Sequence, residues 1–470
     1  MHFFKVRKVM VTIMAIMLVS MVIGCSSSNN DSSPSASSTP SASPSASETT
    51  PASPSASADT APDLQGAAVK IGLWWDGADP RLKEVKDRTP ADDEVIALIE
   101  AAEKKYNCKI EYVKFGDYGK YVENFTTTSL AGEPFADVVV LELFWAFPQL
   151  VNKGFVAPID DYLDVNDSKY IPWMKNGGAF QGKQYGFIDS PPSPYGIFYN
   201  KTLVQELGLE DPYELQKNGQ WTWDKFRELS KKATKDKDGD GKVDVFGFIG
   251  DLKTSLQQFV YGNKGSFDHD ANGDMKFAMD SENAIQGLQL MSDMYNVDKS
   301  IIQPAPQDGN DKAFIAGKGV MYGGFSWELG GFTDNMKGVE IGYVFFPKAP
   351  NADDYNSFTP FGNMFMVSKY SKHPEVAMKI MDEISLHGKN KELSMEAWKN
   401  SWSPDAYDTR VQMYDKIGYS GSFIAVPDGD KLVDGVVKDI TEGKVAPATA
   451  VEKVKNQFDA NIQKLLSETK

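Results

Sequence analysis

Three regimes of hydrophobic patterning divide this chain of 470 residues. Val9 to Val22 is apolar apart from Thr12 and Ser20. Residues 26 to 62 are almost entirely Ser, Pro, Ala and Thr, with a repeated Ser-Pro-Ser-Ala phrase. From Ala67 onward, strand-like and helix-like periods alternate. Val69, Ile71 and Leu73 predict a short strand. Thr89-Pro90 opens a helix with acids in its first turn (Asp92, Asp93, Glu94) and Val95, Ile96, Leu98, Ile99 and Ala102 on its inner face. A strand over Lys109 to Phe115 and a helix from about Tyr118 to near Gly132 follow. Asp137 to Leu141 is then a continuous apolar run of the kind buried on both faces of a parallel sheet. The order β-α-β-α-β predicts an α/β sheet with helices on both faces. Further strands are expected at Val243 to Phe248 and Gly319 to Gly323. The chain closes in an amphipathic helix from about Thr449, with Val451, Val454, Phe458, Ile462 and Leu465 on one side.

The first two regimes carry their own chemistry. Lys5, Arg7 and Lys8 precede the apolar run, which is shorter than the ~20 residues needed to cross a bilayer. Positive start, apolar middle and a small residue before the cut are the parts of a secretory signal. The run ends in Val22-Ile23-Gly24-Cys25, which resembles the bacterial lipoprotein signal. That resemblance implies cleavage after residue 24 and lipidation of Cys25, which would become the mature N-terminus. The Ser/Pro/Ala segment cannot bury enough apolar surface to offset its chain entropy. Residues 25–65 are therefore expected to form a disordered tether, reaching roughly 100 Å at full stretch.

Composition narrows what the body, residues 66–470, can do. The net charge of −16 becomes −19 once the three signal cations leave. So acidic a surface would be repelled by nucleic acid and by anionic lipid headgroups, so the lipid anchor is the expected membrane attachment. Cys108 is the only thiol left in the body, at an expected helix-to-strand junction, so no internal disulfide can form. His269, His373 and His387 show no metal-ligand spacing. No GxSxG, phosphate-binding loop or dinucleotide fingerprint is present. No catalytic cofactor is expected. A glycosidase remains open on these grounds, because it needs only two carboxylates.

Across nearly the whole body the residues resemble extracellular solute-binding proteins of family 1, the maltose-binding-protein-like receptors of ABC sugar importers. Gly-Glu-Pro-Phe-Ala-Asp-Val-Val-Val (132 to 140), Phe144-Trp145 and residues 150 to 163 resemble the first lobe. Residues 194 to 201, Pro-Tyr-Gly-Ile-Phe-Tyr-Asn-Lys, resemble the crossing to the second lobe, and Trp221 to Phe226 the helix start after it. Residues 314 to 321 and Gly324-Phe-Ser-Trp327 resemble the strand and sugar-facing loop of the second lobe, and residues 368 to 377 a later helix entry. The resemblance implies a two-lobed α/β fold of the type II periplasmic-binding-protein kind, its lobes joined by crossing hinge strands that close around a ligand. Lobe 1 would span about 66–194 plus part of 356–400, and lobe 2 about 195–355 plus part of the C-terminal region. The implied protein is a monomeric, lipid-anchored receptor on the outer face of the cell membrane. It would pass a mono- or oligosaccharide to permease subunits.

A sugar presents C–H faces that lie on aromatic rings and hydroxyls that need paired donors and acceptors. Loops at strand ends with aromatics beside carboxylates fit that need. Five such loops are Trp74-Trp75-Asp76, Glu142-Leu-Phe144-Trp145, Ser190 to Tyr195, Phe325-Ser-Trp327-Glu328 and Phe361-Gly-Asn363. One of the two adjacent tryptophans, Trp74 or Trp75, must face inward. Matching to sugar-binding relatives carries over Asp76, Glu142, Trp145, Ser193, Tyr195, Phe325 and Trp327 as ligand contacts, with Trp75, Phe144, Glu328 and Asn363 alongside. No Trp lies in 411 to 450, where some maltose-type relatives place a stacking ring, which argues against a long malto-oligosaccharide.

Asp236-Lys-Asp238-Gly-Asp240-Gly241-Lys242-Val-Asp244 matches the first part of an EF-hand loop. Asp236, Asp238, Asp240 and Asp244 would offer carboxylates and Lys242 its carbonyl, to a structural Ca2+. Position 12 is Gly247, so the usual bidentate carboxylate is missing. Asp268 to Asp274 is a looser echo, expected to be a hairpin turn. Two other functions remain to be separated from import: a secreted glycoside hydrolase, and a sugar sensor docking on a membrane kinase.

Overall fold

The first helix begins where its cap chemistry places it. Thr89 Oγ1 accepts the Asp92 N–H at 3.2 Å, and Asp92 Oδ2 accepts the Thr89 N–H at 2.8 Å. This reciprocal box fixes the start of Pro90–Tyr106. Asn107, in the left-handed conformation with φ 46°, ends it. Cys108 then turns into the core, where burial pushes its thiol up. The computed structural model describes residues 61–171, 177–189, 192–270, 274–304 and 309–467. Cys25 and the signal lie outside these residues, as does nearly all of the tether.

The strands are β1 (Ala68–Leu73), β2 (Lys109–Lys114), β3 (Val138–Glu142), β4 (Val156–Ala157), the pair β5 (Ala179–Phe180) and β6 (Lys183–Gln184), and β7 (Gly186–Phe187). After these come β8 (Tyr195–Asn200), β9 (Phe246–Gly250), β10 (Gly319–Phe325), β11 (Ile341–Phe345), β12 (Ser357–Thr359), β13 (Asn363–Ser368) and β14 (Ile417–Tyr419). One sheet runs β2-β1-β3-β13-β4, with β7 paired to β13. The other runs β11-β8-β10-β9. The continuous apolar run expected to be buried is β3: every position is buried, parallel to β1 on one side and antiparallel to β13 on the other.

Each sheet carries its own core. Residues between Leu64 and Ile188, joined by Met364 to Ile384, pack around the first. Residues from Tyr195 to Ala349, joined by Phe423 to Leu465, pack around the second. The chain passes from the first sheet to the second between β7 and β8, and returns between β12 and β13. Two polar anchors hold these crossings together. Ser357 donates its hydroxyl to Tyr195 O at 2.8 Å. Gln258 brackets Phe358, with Nε2 donating to its carbonyl at 2.9 Å and Oε1 accepting its N–H at 3.1 Å.

Element boundaries differ from the sequence reading at several ends, two of them with a clear physical reason. The strand expected from Val243 starts at Phe246, because Val243 and Asp244 belong to a turn: the Asp244 N–H donates to Lys235 O, and Asp244 Oδ2 accepts the Lys237 N–H. The strand expected to end at Gly323 runs to Phe325, because β8 pairs with it along that length. His269 and Met275, on either side of the echo at 268–274, form an antiparallel bridge, and residues 271–273 between them lie outside the described residues. No helix among the described residues is long and apolar enough to cross a membrane.

Candidate functional site

The first lobe presents an aromatic shelf. Strand alternation turns Leu73 into the core, and the two tryptophans after it divide. Trp74 is half-buried, its ring edge-on to Trp75 at 4.9 Å, Tyr121 at 5.2 Å and Trp145 at 5.2 Å. Trp75 is the exposed member of the pair. Tyr118, which opens its helix, lies 4.7 Å from Trp145 and is also exposed. The shelf is thus Trp75, Tyr118 and Trp145. Asp76 points to solvent and pairs with Lys114 at 2.7 Å. Phe144 is buried, edge-on to Trp145 at 5.6 Å, and holds the shelf from below.

Glu142 sits at the end of β3, opposite Asn363 at the start of β13. It is only 3% exposed. Oε2 accepts the Gly362 N–H at 2.7 Å. Burial outweighs that hydrogen bond and pushes the carboxyl up to about 7. The carboxyl therefore grips the returning crossing. Asn363 itself is exposed.

The second lobe answers with a row of rings. Phe361, on the crossing, meets Phe325 at 5.2 Å. Phe325 lies parallel to Trp327 at 6.4 Å and 5°. Trp327 is 68% exposed, although it is the largest side chain of its loop. Beneath it, Tyr195 is buried, edge-on to Phe325 at 4.9 Å, and its hydroxyl lies 3.3 Å from Ser255 Oγ. The Ser193 and Ser326 hydroxyls bond each other at 2.6 Å. Glu328 spends both oxygens locally: Oε1 accepts the Tyr322 hydroxyl and Oε2 the Phe325 N–H, each at 2.6 Å. A Cβ at Gly324 would lie 2.6 Å from Glu328 Oε2 and 2.4 Å from the Tyr322 ring, so this brace requires glycine there. Glu328 thus fixes the Trp327 loop and presents no unbonded oxygen to a ligand.

A cavity of about 630 Å³ lies beside Trp327. Asp251, Thr254, Asn310 and Asp311 line it, and none was singled out from sequence. Asp251 follows β9 and caps the next helix, accepting the Thr254 N–H at 2.8 Å. An Asp directly after an apolar strand was the signal available. A second cavity of about 640 Å³ draws on both cores, with Phe147 and Phe180 from one and Tyr261 and Met275 from the other.

In the acidic loop, carboxylate oxygens of Asp236, Asp238 and Asp244 lie within 4.8 Å of one another, all on exposed residues. Asp236 also accepts the N–H groups of Gly239 and Gly241, which hold its carboxyl below the usual range. The Asp240 carboxylate turns instead to its neighbour Lys242, accepting the backbone N–H at 2.7 Å. Gly247 is inside β9 and supplies no carboxylate. Three of the four acids converge on a point that suits a hard cation, and the fourth does not.

A sequence model of the bacterial extracellular solute-binding protein family matches residues 87–389. No curated protein sequence matches the chain. Solved structures match over most of its length. An ABC substrate-binding protein from Listeria monocytogenes in complex with cycloalternan is 18% identical, with TM-score 0.60, covering 86% of this chain and 99% of its own. The maltose-maltodextrin binding protein of Alicyclobacillus acidocaldarius is 18% identical, with TM-score 0.59 and coverage of 84% and 100%. UgpB from Mycobacterium tuberculosis, in complex with glycerophosphocholine, is 14% identical, with TM-score 0.63 and coverage of 85% and 99%. The shared architecture is the two-lobed, type II periplasmic-binding fold.

Proposed function

Since this chain belongs to the bacterial extracellular solute-binding proteins, we propose that it captures a mono- or oligosaccharide between its lobes and hands it to an ABC permease. The observation that carries this reading is Trp327: an indole 68% exposed, aligned with Phe325, at the edge of a cavity lined by carboxylates and an amide. Exposing so large a ring forgoes burial worth about 1.5–3 kcal/mol for a large apolar side chain, which a sugar face would restore. The shelf of Trp75, Tyr118 and Trp145 supplies a second stacking surface, and the crossings between β7 and β8 and between β12 and β13 form the hinge. Solved relatives hold a cycloalternan or are named for maltodextrins, which fits this ligand class.

On this reading the protein is a monomer held on the outer face of the membrane by lipid at Cys25, with residues 25–65 as tether. Asp236, Asp238 and Asp244 hold a structural Ca2+ remote from the sugar. The test is a thermal-shift screen of the full-length chain against saccharides. A ligand at a hundred times its dissociation constant adds about 2.7 kcal/mol of stability, a shift of several degrees. No shift from any saccharide, or cleavage of the saccharide during incubation, would remove the reading, and cleavage would install the hydrolase in its place.

A further inference from the structure

Arg410 carries a charge that the protein itself does not answer. It lies on the helix Pro404–Tyr414, in the buried stripe of Ala406, Thr409 and Met413, and is 4% exposed. Its Nε and Nη1 are buried and have no hydrogen-bond partner among the described residues. Its guanidinium lies 3.8 Å from the centre of the Trp398 ring, a contact that accepts charge but offers no lone pair. The titratable groups that act on it are the phenols of Tyr343 and Tyr414. Both are pushed up by burial, Tyr414 to about 12, and so stay neutral. Desolvation lowers Arg410 to about 10, which leaves it a cation at neutral pH. A buried, unpaired charge is costly, and apolar replacements at such positions are often neutral or stabilising. In a chain of net charge −16, a cation kept in that state is explained by a partner from outside.

The partner has a place to sit. Arg410 lines a cavity of about 390 Å³ with Ser193, Ser326, Trp327, Thr333 and Trp402. No carboxylate among the described residues lines it. Trp327 is common to this cavity and to the larger one that holds Asp251, Asp311 and Glu328. The indole is therefore flanked by two unlike chambers, one acidic and suited to hydroxyls, the other cationic. Resting on the saccharide-capture reading, we infer that the ligand is an acidic saccharide whose sugar ring stacks on Trp327 and whose oxyanion, carboxylate or phosphate, is received by Arg410. A guanidinium matches either oxyanion with charge-assisted hydrogen bonds.

The test uses the full-length chain and calorimetric titration. The probes are uronic-acid mono- and disaccharides, their neutral counterparts reduced at C6, and hexose 6-phosphates. Charge-assisted hydrogen bonds predict a preference of roughly ten- to a hundredfold for an acidic probe over its neutral counterpart. Uronates and phosphates then identify which oxyanion is meant. In Arg410→Met the preference should collapse towards one, while the ligand-free protein keeps or gains thermal stability, because an unpaired buried charge has been removed. A preference for neutral counterparts throughout would overturn the inference and leave saccharide capture standing. So would an acid preference that survives Arg410→Met. Loss of stability in Arg410→Met with the acid preference unchanged per folded molecule would assign Arg410 to packing on Trp398 and overturn the inference. Binding by no probe at millimolar concentration would sink both readings together.

Discussion

Replacing Glu142 with Gln should convert a pH-dependent part of the stability into a constant. The carboxyl is 3% exposed and receives one backbone N–H, from Gly362. Burial raises it from an ordinary 4.5 to about 7. In the unfolded chain it loses its proton near 4.5, and in the folded protein near 7. Between these values the folded state holds more protons than the unfolded, so stability falls as pH rises. The contribution is whole below pH 4.5, is lost through pH 7, and is flat above it. At ~1.4 kcal/mol per pH unit of separation, the loss is roughly 3 kcal/mol. Gln keeps the shape and can still accept the Gly362 N–H, but it does not ionise. The assay is denaturant unfolding of wild type and Glu142→Gln from pH 4 to 8.5. Only the difference between them is read, so that other titrating groups cancel. Gln should gain on Glu by roughly 3 kcal/mol between pH 4.5 and 7.5. A difference that does not change with pH would show that Glu142 ionises freely and that water reaches the base of the crossing.

Trp327→Ala should weaken saccharide binding by about 1–3 kcal/mol, by analogy with base–aromatic stacking, and leave ligand-free stability within about 0.5 kcal/mol, as for other surface substitutions. Trp221→Ala, at a fully buried indole that donates to Phe345 O at 2.8 Å, should instead cost about 3–5 kcal/mol of stability; if the two variants behave alike, Trp327 belongs to the core. A chelator should lower the melting temperature of the wild type, and Asp238→Ala should abolish that response; melting curves indifferent to both would leave the acidic loop a solvated turn. Cys25→Ala should release the protein from membranes into the medium, and unchanged retention on fractionation would refute lipidation at that residue.

The first lobe was readable because local rules and tertiary demands agree there. Thr89-Pro90 with acids in the first turn opens a helix in sequence, and in the structure Thr89 and Asp92 close a capping box there; the apolar run before Glu142 could be satisfied only inside a sheet. The alternation of Leu73, Trp74 and Trp75 showed that one tryptophan must turn in. Which of Phe144 and Trp145 faces out was not readable, because both follow β3 in a short turn with no period of its own. Glu328 reads as a sugar-binding acid until its Tyr322 and Phe325 partners are seen. Arg410 left a legible trace: an Arg in step with Ala406, Thr409 and Met413 occupies an apolar stripe. A charged residue in such a stripe most often reaches for solvent along its own stem, whereas here the guanidinium lies against the Trp398 ring.

The position of β13 sets the order in which this protein can come into being. It lies inside the first sheet, between β3 and β4, yet its start is bonded to Glu142 across 220 residues of chain. A ribosome that has delivered everything up to β8 has made a sheet with a gap where its interior strand belongs. The second lobe must be synthesised before the first can be completed, and closing so long a loop slows that completion. Truncation after residue 194 would therefore give exposed edges on β3 and β4 in place of a smaller working lobe.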